Sequence, residues 1–191
     1  MINVMRSCLN VITGREVHTF AARPRANGPI QNLDCRTPHK QGQLRIESSH
    51  PPHLLRQPAT MNTFGDHMWQ VSLPNDWVAE QEAESALLYH PDGPGTLQIS
   101  ALPQNDTVTA ADLRVLAAEH LDAGAQAEDV ELGTFTGISL SYAVDDEFWR
   151  EWYLRHGTTL LFATYNCDLD DEGKEDDIVE LILETLRAGT S

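Results

Sequence analysis

Between residues 130 and 167 the sequence reads as successive strands joined by links of hairpin length, and this run constrains the fold more than any other feature. Residues 130–135 lead through Gly137 into 138–144, where Ile138, Leu140, Tyr142 and Val144 share a face. Residues 147–156 return, Gly157 turns, and residues 158–167 close the run. Period-two alternation of this kind marks strands. Parallel neighbours need crossovers of a dozen or more residues, so these links require antiparallel pairing.

Other elements complete an α+β pattern. In residues 68–73, Trp69, Val71 and Leu73 fall on one face of a half-buried strand, and Pro74-Asn75-Asp76 turns into Trp77-Val78. Residues 85–90 and 96–102 read as strands around the turn Pro91-Asp92-Gly93-Pro94-Gly95. Thr109 with Asp112 has the spacing of a capping box. Leu113, Leu116, Ala117, His120 and Leu121 make an apolar stripe behind it, and Gly124 is the stop. A last helix over residues 175–188 would bury Ile178, Leu181, Ile182 and Leu186.

All of these elements lie after Met61, where composition changes. Residues 1–60 hold eight Lys/Arg against three acids, a net of +5, whereas residues 61–191 hold five against 26, a net of −21. All four tryptophans follow the break, and Phe20 is the one aromatic before it. Six prolines interrupt every candidate element of residues 1–60, and so little apolar surface cannot offset the entropy of ordering. We expect two regions: a disordered basic leader, 1–60, and a single acidic α+β domain, 61–191. An Arg-rich, acid-poor leader also resembles a transit peptide, and Cys35, His39, His50 and His53 invite a metal reading, though they match no standard zinc spacing. The expectation preferred for this region is an over-extended reading frame, with translation beginning at Met61.

The charge excludes some partners. Nucleic-acid binding relies on Lys and Arg neutralising phosphates, and five such residues serve the domain. An anionic membrane surface is disfavoured for the same reason. A basic protein partner is compatible, as is a high-salt cytoplasm in which acidic surfaces maintain solubility. No apolar run reaches the ~18–20 residues of a membrane helix. Cys167 is the domain's one cysteine, which leaves no intradomain disulfide and points to a reduced, cytoplasmic protein.

The order of these signals resembles the PsbP-like superfamily. WQVSLPNDW is similar to its opening strand and Pro-x-x-Trp turn, carried here by Pro74 and Trp77. GTLQISAL, the central helix, GTFTGISLSY with WREWYLRHGTTLLFATYNC, and the closing DDIVELILETLR follow in matching order over residues 61–188. The superfamily includes the photosystem II extrinsic protein, a Ran-GTPase-binding protein and bacterial families. The resemblance implies a curved antiparallel sheet sandwiched by helices, an α/β/α arrangement, and binding roles rather than catalysis. One bacterial branch consists of adaptor chaperones for type VI secretion effectors.

Candidate chemistry is sparse, and the residues indicate no cofactor, no metal site and no catalytic set. The stretch 168–177 mimics part of a calcium loop: acids fall at positions 1, 3, 5 and 9 and Gly173 at position 6, but Val179 occupies the place of the bidentate Glu. His67, His90, His120 and His156 are scattered, no G-x-S-x-G occurs, and no glycine-rich phosphate loop is present. Asp145-Asp146-Glu147 at a strand turn supports an alternative hydrolase-type reading, which needs a pocket and a nearby His or Arg. The leading expectation is a non-catalytic binding or adaptor domain that recognises a protein partner through Trp149, Arg150, Trp152 and Tyr153. A type VI adaptor chaperone or an immunity protein is a variant of that reading.

Overall fold

A computed structural model of the chain describes residues 61–189. The expectations for residues 1–60, including the disordered leader, the Cys35/His39/His50/His53 set and the start at Met61, lie outside the described residues. The chain after that boundary is α+β, as the sequence pattern requires. Its elements run β1 (Met61–Gly65), β2 (Trp69–Pro74), β3 (Val78–Gln81), β4 (Ala86–Tyr89) and β5 (Thr96–Pro103). Next come α1 (Ala110–Leu116), α2 (Ala118–Asp122), β6 (Glu128–Leu132), β7 (Phe135–Val144), β8 (Glu147–His156) and β9 (Thr159–Asp168). A 3-10 turn, Leu169–Asp171, precedes α3 (Asp176–Glu184) and β10 (Arg187–Ala188).

Seven strands form one antiparallel sheet in the order β3-β4-β5-β9-β8-β7-β6, and three more form a small sheet, β1-β2-β10. The long crossover from β5 to β6 carries α1 and α2 over one face. There Leu113, Leu116 and Ala117 pack on Ile138, Leu140, Tyr153, Leu160 and Phe162. On the other face, Val179, Ile182 and Leu183 of α3 join Trp69, Val71 and Leu73 of β2 in a larger core with Trp152, Leu154, Leu161 and Ala163. The large sheet is therefore sandwiched, and its central strands β8 and β9 are apolar on both faces because both are covered. No helix among the described residues is long and apolar enough to cross a membrane.

Local rules explain most boundaries and a few departures. Trp77 plugs the core edge at 9% exposure, its N–H bonded to the Pro74 carbonyl at 3.0 Å. The β6–β7 turn falls at Gly133-Thr134, not at Gly137 as the sequence reading had it. Gly133 has φ +61° and lies against the Leu186 backbone, where a side chain has no room. Gly137 is mid-strand, paired with Leu154 and pressed against the Tyr153 carbonyl. The single helix expected before Gly124 divides at Ala117, although the apolar stripe survives. The last helix is shorter than expected. Leu181 is 44% exposed, Val179 and Leu183 take the buried positions, and Arg187–Ala188 leaves to pair with β2. The edge strand β6 carries Glu128, Asp129 and Glu131, charges that discourage pairing with another chain's edge.

The capping box predicted at α1 is present. The Thr109 N–H and hydroxyl donate to Asp112 Oδ2 at 2.8 and 2.7 Å, and the Asp112 N–H donates to Thr109 Oγ1 at 3.3 Å. The Thr109 hydroxyl, then its N–H, hold the Asp112 carboxyl below its usual range. A folded pKa below the unfolded one adds stability that is present above the unfolded value and is lost as pH falls through the folded one. Thr109→Ala should therefore cost about 1 kcal/mol at neutral pH. Urea denaturation of the two proteins should find that difference shrinking once Asp112 is protonated in strong acid; a difference that grows with acidity would contradict it.

Candidate functional site

Strand β8 is the origin of the site because its alternate residues face different layers. Phe148, Arg150, Trp152 and Leu154 point toward α3 and the small sheet, while Trp149, Glu151 and Tyr153 point toward α1 and α2. Of the four residues expected to form a partner surface, Trp152 and Tyr153 are 1% and 2% exposed. Both are core side chains, since both faces of this strand are covered at that height, so neither can present an aromatic surface. Arg150 is engaged within the fold: its Nη2 donates to Glu180 Oε1 at 2.7 Å, Asp176 is 3.9 Å away, and its guanidinium lies 5.0 Å from the Trp152 ring centroid. Trp149 alone of the four is partly exposed on the opposite face, its Nε1 donating to Glu147 Oε2 at 3.1 Å.

The helices α1 and α2 cover only part of their face. Where they end, registers align two cross-strand rows. Tyr142, Trp149, Asn166 and Thr96 form one row across β7, β8, β9 and β5. Leu140, Glu151, Thr164 and Gln98 form the next, continuing to Leu87 on β4 and Glu80 on β3. Tyr142, Trp149, Asn166, Thr96, Gln98 and Leu87 are all partly exposed. The floor of this open area is thus amphipathic: two aromatic rings, neutral amides and hydroxyls, and an aliphatic flank.

Glu151 stands at the border between the covered and open parts. It is 4% exposed, between Trp149 and Tyr153 on the same face of the strand. Tyr142 donates to its Oε1 and Tyr153 to its Oε2, each at 2.8 Å. His120 Nε2, reaching from α2, lies 3.5 Å from Oε2, and the imidazole stacks on Tyr142 with centroids 4.5 Å apart. A carboxylate buried in this way must be met by donors, because an isolated buried charge is prohibitively costly. The cluster joins α2, β7 and β8 and orients Tyr142 at the rim of the open face. Its one sequence signal is a polar residue at a strand position between two same-face aromatics, Trp149 and Tyr153.

The remaining candidates are structural or exposed. Asp145, Asp146 and Glu147 occupy an exposed hairpin tip, with Asp145 at φ +53°. None of the three has a His or Arg partner among the described residues, so the pocket that the hydrolase reading requires is not built there. In the stretch 168–177, Lys174 bonds Asp171, and Glu175 turns inward at 9% exposure to accept from Tyr165 Oη at 3.0 Å and the Gly95 N–H at 3.2 Å. Burial first, and Glu175 second, push the Tyr165 hydroxyl well above its usual range; burial likewise raises the Cys167 thiol. This second carboxylate ties the 91–95 turn to the end of β9 and keeps its donors inside the fold. Among the described residues no three His, Cys, Asp or Glu side chains group as a metal set. His90 lies 3.8 Å from Asp76, and His156 contacts the Thr134 carbonyl and Phe135, far from one another in the topology.

No family model matches the sequence, and no curated protein does. Among solved structures, the chain is similar to a protein of Bacteroides thetaiotaomicron at 21% identity and a TM-score of 0.49, with 65% of this chain matching 46% of that one. The chain therefore spans less than half the length of that protein. It is similar to LpqN of Mycobacterium tuberculosis, described as involved in cell envelope biogenesis, at 17% identity and a TM-score of 0.47 over 69% of this chain and 91% of that one. It is also similar to cyanobacterial PsbP of Synechocystis at 11% identity and a TM-score of 0.37 over 68% and 93%. All three similarities are at low sequence identity.

Proposed function

We propose that this chain is a binding domain that recognises a protein partner on the open part of the α1–α2 face, centred on Trp149. One observation carries the reading: a partly exposed Tyr142–Trp149 cross-strand pair, in register with Asn166 and Thr96, at the margin of what α1 and α2 cover. Tyrosine and tryptophan combine large apolar area with a polar edge and lose few rotamers on contact, so such pairs anchor interfaces. The neutral amides and hydroxyls of Asn166, Thr96 and Gln98 provide a polar rim. Recognition for adaptor, chaperone or immunity purposes would all use the same surface, and the partner's identity decides among them.

The reading predicts that Trp149→Ala lowers partner capture about tenfold while the domain stays folded. Affinity capture should be run from native extracts with wild type, Trp149→Ala and an exposed-site control, Leu181→Ala, alongside thermal melts. A partner held equally by all three folded proteins would overturn the proposal. Tyr153→Ala is unsuited to this purpose, because the cavity it leaves would unsettle the fold itself.

A further inference from the structure

We propose that the open face seats an arginine side chain from an extended segment of the partner, its guanidinium stacked on the Trp149 indole and paired with Glu147. The inference rests on the partner-surface reading above and adds the chemistry of the occupant. Strand β8 itself contains the precedent. On its inner face the Arg150 guanidinium lies 5.0 Å from the Trp152 centroid and bonds the Glu180 carboxylate at 2.7 Å. On its outer face Trp149 and Glu147 repeat the indole and the carboxylate, held together by the 3.1 Å bond from Nε1 to Oε2. Among the described residues no Lys or Arg completes that trio on the outer face.

The surroundings favour a cation from outside. Tyr142 and Asn166 flank Trp149 in register, Asp168 pairs with Glu147, and Glu151 is the next residue along the same face. None of these positions is Lys or Arg, and the hairpin tip adds Asp145 and Asp146. With a net charge of −21 over residues 61–191, a second copy of the domain would be repelled from this surface. A guanidinium suits the seat better than an ammonium. It is planar, weakly hydrated and always charged, so it stacks on an indole while its fork donates to a carboxylate. Asn166, Thr96 and Gln98 extend in rows away from the ring, offering neutral hydrogen bonds to the backbone of an extended segment.

The test uses the full chain and a capped peptide, Gly-Ser-Arg-Gly-Arg-Ser-Gly, titrated calorimetrically beside counterparts with lysine or citrulline in place of arginine. Citrulline keeps the shape and removes the charge. The citrulline peptide is expected to bind about tenfold more weakly, and the lysine peptide to fall between. Trp149→Leu and Glu147→Gln should each weaken arginine-peptide binding several-fold, whereas Asp177→Asn, at an exposed position of α3, should change it less than twofold. Equal losses for Glu147→Gln and Asp177→Asn would indicate a diffuse acidic field and overturn the seat. Equal binding of the citrulline and arginine peptides, still dependent on Trp149, would overturn the arginine assignment and leave the partner-surface reading standing. If arginine-peptide binding is indifferent to Trp149, the seat fails, and the capture experiment with Trp149→Ala decides the partner surface separately.

Discussion

Trp152→Ala is expected to destabilise the domain by about 3–5 kcal/mol, the range for truncating a large buried aromatic. The indole is 1% exposed at the centre of the larger core, on the strand whose neighbours β7 and β9 pair with it at Ser139 and Ala163. Both cross-strand neighbours are small, so the ring fills the space they leave. The loss extends past apolar area, because the ring also supports Arg150, whose bond to Glu180 ties α3 to the sheet. Domains of this size have about 5–15 kcal/mol of total stability, so the variant should populate unfolded chains at moderate temperature. Urea denaturation should give a clear drop in midpoint at constant slope. A midpoint within error of wild type would mean that Trp152 is not the core residue described.

The same strand explains which parts of this molecule are legible in its sequence. The alternation of β7, β8 and β9 and the hairpin-length links predict an antiparallel sheet, and the capping box predicts the start of α1 because both signals are local. The assignment of faces is not local. Trp149, Glu151 and Tyr153 alternate in step, yet only Trp149 reaches solvent, because α1 and α2 cover the middle of the face and stop short of its end. Whether an aromatic is core or surface thus depended on an element thirty residues upstream, which period-two reasoning cannot supply. The role of Glu151 is illegible for the converse reason. A carboxylate at an inward strand position reads as solvated unless its donors are known, and these come from three separate elements. Strand β10 is not legible because Arg187–Ala188 carries no strand signal; its pairing with Gln70 and Trp69 is a tertiary contact. Gly133 and Gly137 are only four residues apart, and the one with left-handed backbone, Gly133, is the turn.

The buried carboxylate itself makes the second large prediction. Glu151→Ala should cost about 3 kcal/mol or more, because the loss is dominated by what remains behind. Two tyrosine hydroxyls that now donate to a carboxylate at 2.8 Å would lose that acceptor, and Tyr153, at 2% exposed, has little recourse to water. A single apolar replacement, Glu151→Leu, restores packing but still removes the carboxylate acceptor from both hydroxyls, so it should recover only part of the loss. Combining it with Tyr142→Phe and Tyr153→Phe removes both donors with the acceptor and should return stability close to wild type, because a matched apolar cluster avoids the desolvation of a buried charge. The energies are therefore expected to be strongly non-additive, with the triple variant more stable than Glu151→Leu alone. Additive losses on chemical denaturation would instead mean that the hydroxyls depend on other partners more than on Glu151. The triple variant also separates stability from recognition. Tyr142 is oriented at the rim of the open face by this carboxylate and by the stacked His120 ring. A folded triple variant that captures the partner as well as wild type does would show that recognition needs the ring at position 142 beside Trp149 and not its hydroxyl.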